Sequence, residues 1–238
     1  DTTMLARIGT AIAMEARARG LRDLLAPVIN IATDVRWGRV EETYGEDPYL
    51  TTVLGHAFMR AIEKENIVVT PKHFIANVGD GGRDSYPIEM SKHFLEEIHF
   101  PPFKDAVKNI GIRSLMTSYN SVFGTQATAN SWLLTEKLRK EWGFKGFVIS
   151  DAGAVGGANV LHFTAKDYKD ATAQAINAGL DVIFQVDYNH YKLFLPAFLD
   201  GSIPQTRIDD AVARVLRAKF ELGLFQHAYV DENLAKKM

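Results

Sequence analysis

The sequence predicts an α/β fold with mainly parallel strands, a (β/α)8 TIM-barrel-like architecture that is incomplete or irregular. Three observations carry this expectation. Short apolar, β-branched runs alternate with segments of helical periodicity along the whole chain. The runs are apolar at successive positions, as in Phe147-Val148-Ile149, the pattern of parallel strands covered on both faces. Each run also ends in polar residues, and the C-terminal strand ends of a parallel barrel are where functional groups gather. Five strands are legible. A complete barrel has eight strands in about 250 residues, so either the barrel is irregular or its first strand lies upstream. A dinucleotide-binding fold is disfavoured, because Gly79-Asp80-Gly81-Gly82 lacks the Gly-x-Gly-x-x-Gly spacing and no P-loop occurs.

The elements follow in order. Leu5, Ile8 and Ile12 recur at helical spacing and give a first helix from about Thr2 to Arg19, ended by Gly20. Residues 24–32 read as a strand whose ladder begins at or just after Pro27, since proline cannot donate to a ladder. A polar loop, 33–47, leads to a helix with Asp47 as N-cap and Pro48 in its first turn, running to about Lys64. Ile67 to Thr70 is a strand leading into Lys72-His73-Phe74, then a glycine-rich loop to Asp84. Residues 90–109 are helical, broken at Pro101-Pro102. Ser114 to Ser118 is a strand. Trp132 to Glu141 is a helix capped by Asn130 or Ser131, and Phe147 to Ser150 is a strand. A helix from about Lys166 to Asn177 ends at Gly179, Asp181 to Phe184 forms another strand, and Phe194 to Leu199 is a short helix. The last helix starts at Thr206, with Ile208, Val212, Val215, Leu216 and Phe220 on one face.

Composition narrows the function. The chain of 238 residues is 47% hydrophobic and 24% charged with a net charge of −2, which points neither to a nucleic acid nor to a membrane surface as partner. It has no cysteine, which excludes thiol catalysis and Cys-zinc sites, and its histidines show no metal-ligand spacing. No metal or other cofactor is expected. Because the chain starts at Asp1 directly in a helix and stops in a polar segment, it reads as part of something longer or as a processed chain.

The strand ends carry the chemistry. Asp34, Arg36, Trp37 and Arg39 follow the first strand, and Lys72, His73 and, farther on, Arg83 follow the second. Tyr119 and Asn120 follow the third, and Asp151 follows the fourth. On one rim these would set a carboxylate among cations, an imidazole, a phenol and an indole. Such a group suits a polyhydroxylated ligand, which needs many directed hydrogen bonds and an apolar wall. Plainer readings stand beside each. Asp151 could cap the next helix or turn the loop, Arg36 and Arg39 could pair with Glu41, Glu42, Glu46 or Asp47, Trp37 could pack the rim, and His73 could be a satisfied core histidine.

Taken together, residues 34–49 with Arg36-Trp37-Gly38-Arg39, the step Lys72-His73-Phe74, the run Leu115 to Asn120 and the run Gly143 to Asp151 resemble the N-terminal barrel domain of family 3 glycoside hydrolases, the β-glucosidase and β-xylosidase family. The resemblance covers most of residues 5–225. It implies Asp151 as nucleophile and Arg39, Lys72, His73, Arg83 and Tyr119 as sugar-binding residues. The implied activity is retaining hydrolysis of terminal β-D-glucosyl or β-D-xylosyl residues. Charge from Lys72, Arg39 and Arg83 is expected to lower the pKa of Asp151.

Two departures from the family pattern bear on this. Ala152 stands where many members carry Trp beside the nucleophile, and the loop from Ile75 to Arg83 lacks the His that single-domain members use as proton donor. The resemblance therefore implies the two-domain type: the acid/base Glu comes from a following α/β sandwich domain, and the first barrel strand, with an Asp near it, lies upstream. Residues 1–238 are then a partial barrel domain, weakly active or inactive alone, in a periplasmic or secreted protein. The competing classes are a non-catalytic carbohydrate-binding or scaffold fragment and a glycoside phosphorylase.

Overall fold

Helix α1 (Thr2–Ala18) and strand β1 (Asp23–Leu24) open a computed structural model that describes residues 1–237. After them come α2 (Pro48–Lys64), β2 (Val68–Val69), α3 (92–110), β3 (Ser114–Met116), β4 (Ser121–Val122) and β5 (Thr125–Gln126). The chain continues with α4 (Trp132–Glu141), β6 (Phe147–Ile149), α5 (Ala154–Val160), α6 (Tyr168–Ala178), α7 (Tyr191–Leu199) and α8 (Gln205–Glu221). This is an α/β fold.

Its parallel pairings run in chain order. Asp23 and Leu24 pair with Val68 and Val69, and Val28 bridges Lys72. Phe74 bridges Thr117, β3 pairs with β6 from Ser114↔Phe147 to Met116↔Ile149, and Ile149 bridges Val182. Among the described residues the succession does not close on itself, because nothing joins the segment at Val182 back to the segment at Asp23. The ordered strands are shorter than the apolar runs that signal them.

The two faces of the strands explain why those runs are apolar throughout. Leu115 and Val148 point into the main core, with Phe74, Phe100, Phe103 and Trp142. Their neighbours Met116, Phe147 and Ile149 point the opposite way, onto Ala218 and Val215 of α8 and beside Leu25, Val182 and Phe184. Burying such side chains on both faces removes each from water, worth about 1.5–3 kcal/mol per large residue. At the start of β6 the chain passes so close to Arg113 that a Cβ on Gly146 would lie 2.2 Å from the Arg113 carbonyl oxygen. Backbone cannot yield as a flexible side chain can. Gly146→Ala is therefore expected to lower stability by ~1–3 kcal/mol or more, read from urea unfolding; an unchanged midpoint would show that the two segments can part freely.

Several sequence expectations are corrected. The first ladder begins at Asp23, ahead of Pro27, and resumes at Val28, so the proline interrupts it instead of starting it. In α1 the buried residues are Gly9, Ala13, Ala16 and Ala18, while Ile8 and Ile12 are exposed. The small face lets α2 come close: a Cβ on Gly9 would lie 2.8 Å from the Phe58 carbonyl oxygen. Likewise α8 buries Ala211 and Ala218 and leaves Val212, Leu216 and Phe220 exposed. Residues 92–110 stay helical through Pro101 and Pro102, because a widened turn at Leu95–His99 precedes them and the prolines fall in the first turn of the tighter segment Phe100–Asp105. Asn130, not Ser131, caps α4, its side-chain oxygen accepting from Leu133 N at 3.1 Å. Asp47 caps α2 as expected, accepting from Leu50 N at 2.6 Å. The β4–β5 hairpin and α5 have no counterpart in the sequence reading.

No helix among the described residues is long and apolar enough to cross a membrane.

Candidate functional site

The site grows from the end of β6. Its strand is locked to the next segment by Ser150, whose N–H donates to Val182 O at 2.9 Å and whose hydroxyl accepts from Phe184 N at 2.9 Å. Asp151 follows at 8% exposure. The chain then turns through Gly153, whose φ of 74° is the left-handed region that glycine enters without strain. The turn is pinned from several sides. Ala154 N donates to Asp151 O at 3.0 Å and Gly153 N to Phe184 O at 3.1 Å. The Gln126 amide donates to Ala154 O, and the Tyr119 hydroxyl donates to Ala152 O at 3.0 Å.

This geometry disposes of the plain reading of Asp151 as a helix cap. Gly153 occupies the cap position of α5, with no side-chain hydrogen bond. One carboxylate oxygen of Asp151 accepts from the adjacent Ala152 N at 2.7 Å. The other, Oδ2, is buried without a hydrogen-bond partner among the described residues and lies 3.5 Å from His73 Nε2. A buried polar oxygen with no partner costs the fold stability, and its presence calls for an explanation such as a catalytic role.

The step after β2 supplies the neighbours. His73 is 1% exposed and held at both ends of its backbone by one side chain: Asn30 Nδ2 donates to His73 O, and His73 N donates to Asn30 Oδ1, each at 2.8 Å. The ring nitrogen Nδ1 lies 3.0 Å from Asn30 Oδ1 and 3.1 Å from Asn77 Nδ2. Burial, reinforced by the charges of Arg39 and Lys72, pushes the imidazole well below its ordinary pKa, so it is neutral at neutral pH. Lys72 is also pushed down, by burial first and by Arg39 second, with Asp151 and Glu42 opposing. Arg39 is held by Glu42 through a two-point pair, Nε–Oε1 2.6 Å and Nη2–Oε2 2.9 Å, which raises the pKa of the arginine and lowers that of the glutamate. Tyr119 is pushed up by burial and then by the Asp151 charge.

For Asp151 the balance runs against the sequence expectation. Burial is the largest influence and raises its pKa; the Ala152 N–H, Tyr119, Arg39 and Lys72 oppose it without overturning it. Desolvation wins because the carboxylate sits under the turn while the two cations act only through charge.

The structure thus gathers Asp151, His73, Lys72, Arg39 and Tyr119. Arg83 is exposed and is not among the groups that act on Asp151; its neighbour Asp84 is the loop residue whose charge reaches Arg39 and Tyr119. Arg36 is exposed too, forked onto Asp34 at 2.6 and 3.0 Å. Trp37 packs at 3% exposure with Val28 and Val78, the plain reading of that residue. Asn120 is fully buried and bonds its own neighbour, donating to Ser121 O at 3.3 Å. Sequence reasoning missed Asn30, Asn77 and Asp84, while the pairing of Arg39 with Glu42 is the plain reading of that arginine. Only Asn30 left a signal, an amide inside the apolar run 28–32. Among the described residues no cluster of His, Asp or Glu could hold a metal ion.

A buried carboxylate with one free oxygen, beside a neutral imidazole, two cations and a phenol, can attack an electrophilic carbon and can receive several hydroxyl groups. Known proteins resemble the chain over nearly its whole length. The family model described as glycosyl hydrolase family 3 N terminal domain matches residues 1–218. A periplasmic beta-glucosidase of Salmonella typhimurium is 36% identical over 230 residues, 93% of this chain and 30% of that protein. A beta-xylosidase of Formosa agariphila is 34% identical over 94% of this chain and 33% of its own length. Among solved structures, a β-glucosidase from Erythrobacter marinus superposes with a TM-score of 0.94 at 34% identity, over 99% of this chain and 32% of that one. The Listeria innocua beta-glucosidase in complex with glucose gives a TM-score of 0.88 at 32% identity, over 95% of this chain and 32% of that one. The chain spans about a third of the length of the curated relatives it matches.

Proposed function

The chain belongs to glycosyl hydrolase family 3, whose N-terminal domain it matches, and on that premise we propose that it carries the nucleophile and sugar-binding half of a retaining β-glycosidase. Asp151 attacks the anomeric carbon of a terminal β-D-glucosyl or β-D-xylosyl residue and forms a covalent glycosyl-enzyme, which water then releases. Lys72, His73, Arg39 and Tyr119 receive the sugar hydroxyls. The observation that carries this reading is Asp151 Oδ2: buried, without a hydrogen-bond partner among the described residues, and facing His73 Nε2 at 3.5 Å.

The five parallel segments are read as an arc of an irregular TIM-like barrel, with its first strand upstream. The relatives' extra length is read as including an α/β sandwich domain that brings the acid/base Glu. A periplasmic or extracellular location follows from the same reading.

The test uses two substrates. General acid help contributes about 10²–10⁴-fold, and a disaccharide needs it far more than an aryl glycoside with a good leaving group. The 238-residue chain is therefore expected to leave cellobiose essentially uncut while releasing dinitrophenolate from 2,4-dinitrophenyl β-D-glucoside in a burst of one equivalent per chain. Rapid cellobiose hydrolysis would place the acid inside this chain. Saturable glucoside binding with neither burst nor turnover would make it a binding module, and phosphate-dependent cleavage a phosphorylase.

A further inference from the structure

We propose that His162 is a positioning residue that holds Tyr119, and through it the Asp151 turn, in the register the reaction needs; the inference rests on the reading of Asp151 as nucleophile. His162 lies in the loop just past α5, the helix that begins three residues after Asp151. The loop is fastened back onto that helix. His162 N donates to Gly157 O at 3.0 Å, Thr164 N and Ala165 N donate to Ala158 O at 2.8 and 3.1 Å, and the Asn159 amide donates to Ala165 O at 2.9 Å.

From this anchored loop His162 Nε2 reaches the backbone carbonyl oxygen of Tyr119 at 2.8 Å. A carbonyl can only accept, so Nε2 carries the hydrogen. The neutral Nε2–H form and the doubly protonated ring both donate there. Tyr119 in turn donates from its hydroxyl to Ala152 O at 3.0 Å, and the phenol is one of the groups that oppose the rise in the pKa of Asp151. The contacts close a ring: Asp151 and its turn, α5, His162, the Tyr119 backbone, the Tyr119 hydroxyl, and back to the turn.

The ring matters because Tyr119 sits beyond the strand that delivers it. The parallel pairing of that segment ends at Thr117, which bridges Phe74. Among the described residues no backbone N–H is bonded to the Tyr119 carbonyl, so the imidazole is its partner. Without it the phenol keeps its chemistry but loses its fixed place, and a reacting group displaced by about 1 Å can cost 10²-fold in rate.

The test is the rate at which the 238-residue chain is inactivated by 2,4-dinitrophenyl 2-deoxy-2-fluoro-β-D-glucoside, compared with His162→Ala and His162→Gln. Expected for His162→Ala is a rate at saturation lowered about 10-fold or more, with half-saturation changed less than about 2-fold. His162→Gln presents an amide N–H at nearly the same reach and is expected to recover most of the rate. A purely structural histidine would give a different result: both variants melt earlier, and both slow only as far as their folded fraction falls. An Ala variant at the wild-type rate, or a Gln variant no better than Ala, overturns the proposal while leaving the nucleophile in place. Wild-type chain that is never inactivated overturns the nucleophile reading, and the role of His162 with it.

Discussion

Replacing Asp151 with asparagine abolishes covalent capture of a glycosyl group and leaves the chain, near neutral pH, at least as stable as before. The two halves of this expectation have one cause. Asparagine keeps the shape and can still accept the Ala152 N–H bonded at 2.7 Å, so the turn survives; what it lacks is the charge and the nucleophilic oxygen. That charge is costly to the fold, because burial raises the pKa of Asp151 above its ordinary value. With the folded-state pKa above the unfolded one, the native state holds the proton more tightly than the unfolded chain does. Stability from this group is then full below the unfolded value and declines as pH rises through the raised one. Asp151→Asn removes that decline. Urea unfolding of the two proteins across the acid range measures it, and the variant is expected to draw level with or pass the wild type as the pH rises. A variant that is clearly less stable near neutrality would mean that Oδ2 serves the fold, and would weaken the functional reading at its source.

Asp181→Asn is expected to have the largest effect on stability. Its side chain is wholly buried and accepts from Arg139 Nη2 at 2.5 Å, Arg207 Nη2 at 2.6 Å, Arg214 Nη1 at 2.7 Å and Val148 N at 2.9 Å. One carboxylate therefore fastens α4 through Arg139, α8 through Arg207 and Arg214, and the strand that leads to Asp151. Arg139 shows the strain of its position: burial brings it down to about 10 even with Asp181 beside it. A neutral amide leaves Arg139 without an ion pair among the described residues, and leaves Arg207 and Arg214 with the half-exposed Asp210. Breaking a buried ion pair by removing one partner costs ~3–5 kcal/mol, against a total that for most domains is about 5–15 kcal/mol. Urea unfolding followed by circular dichroism should show a midpoint lowered in proportion, or no cooperative transition at all. A loss below about 1 kcal/mol would show that the arginines find other partners or water.

What could be read from the sequence was mostly local. Asp47 before Pro48 carries its own capping chemistry, and Asn130 does so ahead of α4. The nucleophile candidate was legible because a carboxylate following a fully apolar strand is out of place unless the strand end is a site, and Lys72-His73 because lysine is seldom buried without reason. Orientation was not legible. Arg36 and Arg39 stand three residues apart in one loop. Only the folded loop shows Arg36 turned outward onto Asp34 while Arg39 pairs with Glu42 and acts on Asp151. The glycine loop likewise hid which of Arg83 and Asp84 faces inward. Its path depends on close approaches such as Gly82, where a Cβ would lie 2.8 Å from Trp37 N. Short elements escaped for another reason: the β4–β5 hairpin has two residues per strand and α5 contains Gly156 and Gly157, so neither has the length or propensity for a periodic signal. The net pKa of Asp151 was misjudged because neighbouring charges are visible in a motif, whereas burial is a property of the packed turn.

Retaining catalysis requires Asp151 to form a bond to sugar carbon. Incubating the chain with 2,4-dinitrophenyl 2-deoxy-2-fluoro-β-D-glucoside and sequencing its peptides by mass spectrometry measures this directly, because the fluorine slows release of the covalent sugar. The expected result is one fluoroglucosyl group per chain, on the peptide spanning Phe147 to Ala154, carried by Asp151. An adduct on Asp84 or elsewhere, or a chain that binds the glycoside and remains unmodified, would contradict it.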